Sequence, residues 1–174
     1  MAVTFKIVGL DKAIATVRDA VLSGVDAGLD VAGARGQQLV VKNITSPFLG
    51  RGPAVASGIL AGSIAFETTK TVDISQVEIL AQPPADVYAG YVEAGTGPHF
   101  PPPEALLPWV KQKFHVGDEK TALSIAFAVA RKIAKRGTSA FGMFARALPQ
   151  LQQELGGIFE RAIGESLVKR GLGS

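Results

Sequence analysis

Asp11-Lys-Ala-Ile-Ala-Thr-Val-Arg-Asp-Ala-Val-Leu-Ser-Gly-Val-Asp-Ala-Gly-Leu-Asp-Val-Ala-Gly-Ala-Arg-Gly-Gln-Gln-Leu-Val-Val-Lys-Asn43 is the stretch on which the fold turns. Ile14, Val17, Val21, Val25, Leu29 and Ala32 recur at spacings of three and four, and Leu39, Val40 and Ile44 continue the stripe. Such spacing lines one face of an α-helix, predicting a long helix over about residues 11–43 with Asp11 as its N-cap. Gly24, Gly28, Gly33 and Gly36 interrupt it. Each costs up to about 1 kcal/mol against Ala in a helix interior. A helix with four of them persists only where something packs closely against it. That partner is either another element of the same subunit or a helix of a neighbouring one.

Working outward, Thr4–Val8 is β-branched and aromatic and reads as a short first strand ending at Gly9. On the other side, residues 45–57 are rich in turn formers and read as an extended loop in which Pro47, Phe48 and Leu49 contact a neighbouring chain. Residues 60–71, 72–82 and 86–92 then read as strands of an antiparallel meander, the middle one alternating through Val72, Ile74, Val77 and Ile79. Pro101–Pro103 leads into a short helix carrying Trp109, since Pro is tolerated in a first helical turn. A helix over about 118–135 follows, capped by Asp118 and so apolar around its circumference that burial is expected. It ends in a basic run and Gly137. A last helix over about 148–168 has Pro149 in its first turn. The resulting fold class is α+β: one domain over 1–174, with a long N-terminal helix packed on an antiparallel β-sheet, followed by two or three C-terminal helices.

Composition narrows the function. Charged residues make up 19% of the chain, below the roughly 25% of an average soluble protein, and mean hydropathy is +0.26. So few charges cannot cover a monomer's surface, which points to burial against neighbouring subunits. A net charge of +3 is too small to imply nucleic-acid binding without a concentrated patch. With no cysteine there is no disulfide, thiolate nucleophile or Cys-based zinc site. The start, Met1-Ala-Val-Thr-Phe-Lys, lacks the basic region of a secretion signal, and the apolar run 52–66 is too short to span a bilayer. A protein made in the cytoplasm, without a membrane partner, is expected.

Groups able to do chemistry are sparse. His115 precedes Asp118 and Glu119, but Gly117 and the expected cap break the helix a metal site would need, so a solvated or capping role is expected. His99 in Gly97-Pro-His-Phe-Pro101 reads as a hydrogen-bonded loop residue. Gly95-Thr96-Gly97 lacks the lysine of a phosphate loop, and Pro98 removes a needed N–H. Glu93 and Glu104 flank that loop and could pair as acid and base, but a capping or ion-pairing role is the one expected of them. Arg131, Lys132, Lys135 and Arg136 form the strongest basic cluster, suited either to DNA phosphates or to the negative end of the helix dipole; little aromatic interleaving accompanies it. No cofactor or metal is expected.

Two segments carry a family resemblance. Ser57-Gly-Ile-Leu-Ala-Gly-Ser-Ile64 resembles the Thr-Gly-x-Leu-x-x-Ser-Ile signature of bacteriophage neck and tail-completion proteins, where it also follows a Pro-containing loop, as Pro47 and Pro53 do here. Tyr88-Ala-Gly-Tyr-Val-Glu-Ala-Gly-Thr96, with the Pro-rich segment and Trp109 after it, is similar to the Tyr-x-x-Tyr-Val-Glu-x-Gly-Thr segment of the same family. A weaker likeness runs through Ala130–Thr138 and Phe144–Leu148, where Ser-Ala-Phe-Gly-Met-Phe stands in place of the family's Pro before Phe.

The resemblance implies a structural virion protein of the head–tail connector. It would be a homo-oligomeric ring of six or twelve copies, assembled in the host cytoplasm and located in the phage neck. Its partners would be other neck, portal-side and tail-tube proteins, with passing contact to genomic DNA. Catalysis is not expected. The candidate interaction residues are Pro47, Phe48, Leu49, Tyr91, Glu93, Gly95, Thr96, Gly97, His99, Phe100, Trp109, Arg131, Lys132, Lys135 and Arg136. The alternatives are a small DNA-binding accessory protein and a hydrolase using His99 and Glu93.

Overall fold

A computed structural model describes residues 10–48, 58–71 and 74–173. The expected strand Thr4–Val8, residues 49–57 of the expected loop (Leu49 included) and the start of the second expected strand at Val72 lie outside the described residues. The order of elements is α1 (Leu10–Thr45), α2 (Ile59–Gly62), β1 (Ile64–Lys70), β2 (Ser75–Ala81), α3 (Asp86–Ala94), β3 (Gly95–Thr96), α4 (Pro103–Phe114), α5 (Glu119–Arg136), β4 (Thr138–Ser139) and α6 (Met143–Lys169). The α+β class holds: a long N-terminal helix carries a two-stranded antiparallel sheet, and helices follow.

The expected stripe is buried only in its C-terminal half, where Leu29, Ala32, Leu39, Val40 and Ile44 are enclosed. Ile14 and Val17 are exposed. The seam is a row at a strict spacing of four, Ala20, Gly24, Gly28, Ala32, Gly36, Val40 and Ile44, all buried. Rows at this spacing form the ridges and grooves by which helices pack. A Cβ built on Gly24 would lie 2.5 Å from the Ile163 Cα, and one on Gly28 2.5 Å from the Phe159 ring. Gly33 faces Phe66 and Val77, and Gly36 faces Ile79 and Leu151. All four glycines therefore mark close approach within the subunit: antiparallel α6 fits against one side of the seam and the β-hairpin against the other.

Arg35 on α1 clamps Glu154 on α6 through Nε and Nη2 at 2.6 and 2.9 Å. Those hydrogen bonds, then the guanidinium charge, hold the Glu154 carboxyl below the ordinary range. In the hairpin, Ile64 pairs with Ala81 and Lys70 with Ser75. Gln37 Nε2 donates to the Ile64 carbonyl at 2.6 Å, fixing the strand on α1. Leu39, Ile44 and Met143, fully buried, anchor the core where α1, α6 and the segment 60–89 meet. Each contributes about 1.5–3 kcal/mol by leaving water.

Several further expectations need correction. Residues 59–62 form a helical turn opened by Gly58 at φ 76°, so the first strand of the sheet begins only at Ile64. Residues 86–94 form helix α3, not a third strand. Val87, Tyr88, Tyr91 and Val92 favour strands locally, but Ala85, Ala89 and Val92 sit one helical turn apart and bury on the core, so tertiary packing selects the helical period.

Helix α5 is not buried around its circumference. Ala122, Ala126 and Ala130 are enclosed while Phe127 is 43% exposed, because α5 pairs with α4 in a hairpin that has its own small core around Val110. Helix α6 starts at Met143, five residues before the expected Leu148, and Pro149 lies inside it. Asp11 does not cap α1, which already includes Leu10 and holds Asp11 in its first turn. The helix starts at Pro103 and Asp118 were read correctly. Pro103 opens α4, and Asp118 Oδ2 accepts from the Thr121 N–H at 2.7 Å at the start of α5. His115 closes α4 in the left-handed region, at φ 53°.

Candidate interaction site

Of the candidate residues, Tyr91, Thr96, Gly97, His99, Trp109 and Lys132 converge on one region because two Gly-Thr dipeptides find each other. Gly95-Thr96 pairs antiparallel with Thr138-Ser139. The Thr96 and Thr138 hydroxyls are 2.9 Å apart, and the Thr138 N–H donates to Thr96 Oγ1 at 3.2 Å. Gly95 (φ 72°) and Gly137 (φ 66°) both need the left-handed region, and a Cβ on either would strike the facing backbone. Gly97, by contrast, does not adopt positive φ. The clasp ties the end of α3 to the end of α5. What bends there is the end of a helix, not of a strand.

Glu93 has a structural task. Its two carboxylate oxygens accept the Phe144 and Ala145 N–H groups at 2.9 Å each. Those are unpaired donors of the first turn of α6, and a negative charge there also complements the helix dipole. The Val92 and Glu93 carbonyls accept from the Phe141 and Gly142 N–H groups. Helix α6 thus begins where α3 caps it, about fifty positions away in sequence. Glu104 does not enter this arrangement, so the acid–base pairing of Glu93 with Glu104 finds no support.

Between α3, the clasp and the α4–α5 hairpin lies a groove of about 1300 Å³. Tyr91 and His99 stand on one side, Leu106, Trp109 and Lys113 on α4, and Lys132 on α5. Tyr91 is 64% exposed and Trp109 packs edge-on against Phe114 at 5.9 Å. His99 Nδ1 donates to the Gly97 carbonyl at 3.0 Å, the hydrogen-bonded loop role expected of it. Tyr88 also lines the groove, and burial pushes its phenol up. Among the described residues, every charged side chain in the lining is a cation.

The other candidates fall elsewhere. Phe48 is not a free contact for a neighbour: its ring meets Phe141 edge-on at 6.0 Å and lies under the Arg146 guanidinium at 3.9 Å. Arg146 in turn donates to the Asn43 carbonyl at 2.9 Å, so this corner is locked within the subunit. Pro47 and Phe100 are exposed and line no part of the groove. Arg131, Lys132, Lys135 and Arg136 are all exposed and line a shallow basic depression beside it, with Lys132 shared by both. No ion pair joins these four to a carboxylate among the described residues.

Sequence reading missed Tyr88, Leu106 and Lys113. The signal was present: Leu106, Trp109 and Lys113 are spaced three and four apart, one face of α4. Tyr88 and Tyr91 share a face only once residues 86–94 are helical; in a strand they point apart. Among the described residues, no helix is long and apolar enough to cross a membrane, and no group of three or more His, Asp or Glu gathers as metal ligands. Protein-family models, curated proteins and solved structures return no match to the chain.

Proposed function

We propose that the chain is a structural subunit of a tailed-phage head–tail connector, completing the tail or joining it to the portal side as a ring of like subunits. The observation that carries this reading is the balance of apolar surface. Among the described residues, eight of the eighteen buried apolar residues are alanines, while fifteen large apolar side chains remain exposed. Ile14, Leu22 and Val31 on α1, Val87 and Tyr91 on α3, and Phe114 and Phe127 on the α4–α5 hairpin are among them. Surfaces of this kind mark interfaces. Together with the Ser57–Ile64 and Tyr88–Thr96 motifs, they favour an assembly subunit.

The residues that would serve a hydrolase are otherwise engaged. Both Glu93 oxygens cap α6, and His99 is held by its own loop. The test is the mass of the purified protein, by light scattering and negative-stain imaging. Six or twelve copies of 18.1 kDa arranged about an axis are expected. A monomer at every concentration up to that of assembly would overturn the proposal. One observation favours contact with DNA as a second reading: the four exposed cations at the end of α5 carry no carboxylate partner among the described residues. That reading expects an affinity for duplex DNA that falls steeply with added salt.

A further inference from the structure

We infer that the groove between α3, α4 and α5 receives the β1–β2 hairpin of an adjacent copy, so that this pairing is the contact that propagates the ring. The inference rests on the ring reading above and specifies which faces meet. It starts from a mismatch in the hairpin. Glu67 and Glu78 are direct partners across the antiparallel pair, so both carboxylates stand on the same outer face. Like charges directly opposite one another destabilise a sheet. Both residues are exposed, and no cation lies within ion-pair distance of either among the described residues. Their only side-chain partners there are the Gln82 and Gln76 amides, at 3.3 and 3.4 Å.

The same face carries the half-buried pair Ala65 and Leu80, and Ile74 at the hairpin's tip is 57% exposed. The opposite face is already used, with Phe66, Val77 and Ile79 seated on the α1 glycines. The hairpin therefore offers an acidic outer face edged by apolar side chains.

The groove offers the complement. Lys113 and Lys132 are its charged lining residues among those described, set around the apolar walls of Leu106, Trp109 and Tyr91. Seating Glu67 and Glu78 beside the two lysines relieves the repulsion in the hairpin and gives each cation a partner. Leu80 and Ile74 would meet the aromatic walls. Charge complementarity of this kind fixes partner and register. Because the two patches differ, copies join head to tail, the mode of contact that closes into a ring by rotation.

The test is a reciprocal charge reversal in the full-length protein. One variant carries Lys113→Glu and Lys132→Glu; the other carries Glu67→Lys and Glu78→Lys. Each alone sets like charges against like at every contact, and its assembly midpoint should rise at least about tenfold in concentration. Mixed in equal amounts, the two restore every contact in alternation, so rings with an even number of copies should reappear.

Recovery on mixing also shows that both variants are folded. Rings formed by either variant alone at the wild-type concentration would overturn the inference while leaving the connector reading intact. So would the lack of any recovery on mixing when both variants keep the wild-type circular-dichroism spectrum and melting temperature. A wild-type protein that is monomeric throughout would instead remove the connector reading itself. Fluorescent single-stranded DNA that binds the wild type and not the Lys113→Glu, Lys132→Glu variant, with rings unchanged, would assign the groove to nucleic acid and also overturn the inference.

Discussion

Replacing Gly24 by Ala and, separately, Gly157 by Ala should change stability in opposite directions, although both are helical glycines exchanged for the best helix former. Ala is favoured over Gly in a helix interior by about 0.8–1 kcal/mol. At Gly157 nothing lies within 4 Å of the added methyl, so that gain stands alone. With about 2–4 °C per kcal/mol for a chain of this length, the melting temperature should rise by about 2–4 °C. At Gly24 the methyl would sit 2.5 Å from the Ile163 Cα, 3.0 Å from its nitrogen and 3.1 Å from the Ala162 carbonyl oxygen. All three are backbone atoms, so no side chain can rotate away and α1 must separate from α6. Overpacking of a close contact costs about 1–3 kcal/mol, and a rigid backbone neighbour belongs at the upper end. Subtracting the propensity gain leaves a net loss of about 2 kcal/mol, or a fall of about 4–8 °C. Urea titration and thermal melts followed by far-ultraviolet circular dichroism measure both. If Gly24→Ala stabilises the protein as Gly157→Ala does, the small-residue seam between α1 and α6 does not exist as described.

Glu93→Ala should lower stability by about 1–2 kcal/mol, the upper part of the range for a lost N-cap, since two N–H donors of α6 lose their acceptors together. Glu93→Gln, which keeps one acceptor oxygen, should lose less, and equal melting temperatures for wild type and Glu93→Ala would dismiss the cap. Acid should weaken the fold through Asp118 and Glu154, both held below the ordinary carboxylate range, the first mainly by the Thr121 hydrogen bonds and the second mainly by those from Arg35. A depressed folded-state pKa contributes stability that is fully present above the unfolded value and is lost as pH falls through the folded one. The melting temperature should therefore be level down to about pH 5 and decline below about pH 4. Glu154→Gln should make that decline shallower, and an unchanged slope would show that the Arg35 clamp does not contribute.

Much of this protein was legible in the sequence because it depends on neighbours a few residues apart. The long first helix, the Asp118 cap, Pro103 at the start of α4, the turn at His115 and the β1–β2 alternation follow from periodicity and local hydrogen bonding, which act within about one helical turn. The need for a close partner along α1 was also written there, in four glycines that a free helix would not tolerate. Only the tertiary structure decided who that partner is, because Ile163 and Phe159 lie more than a hundred residues away. It likewise turned residues 86–94 from strand to helix. Their local preference is β, but burying Ala85, Ala89 and Val92 against the core is worth more than propensity. The start of α6 was illegible for the same reason, since its cap is a glutamate on another helix. The groove was hidden in turn: with residues 86–94 read as a strand, Tyr88 and Tyr91 fall on opposite faces, and the long-range pairing of Gly95-Thr96 with Thr138-Ser139 that draws them beside Lys132 leaves no trace in the spacing of either segment.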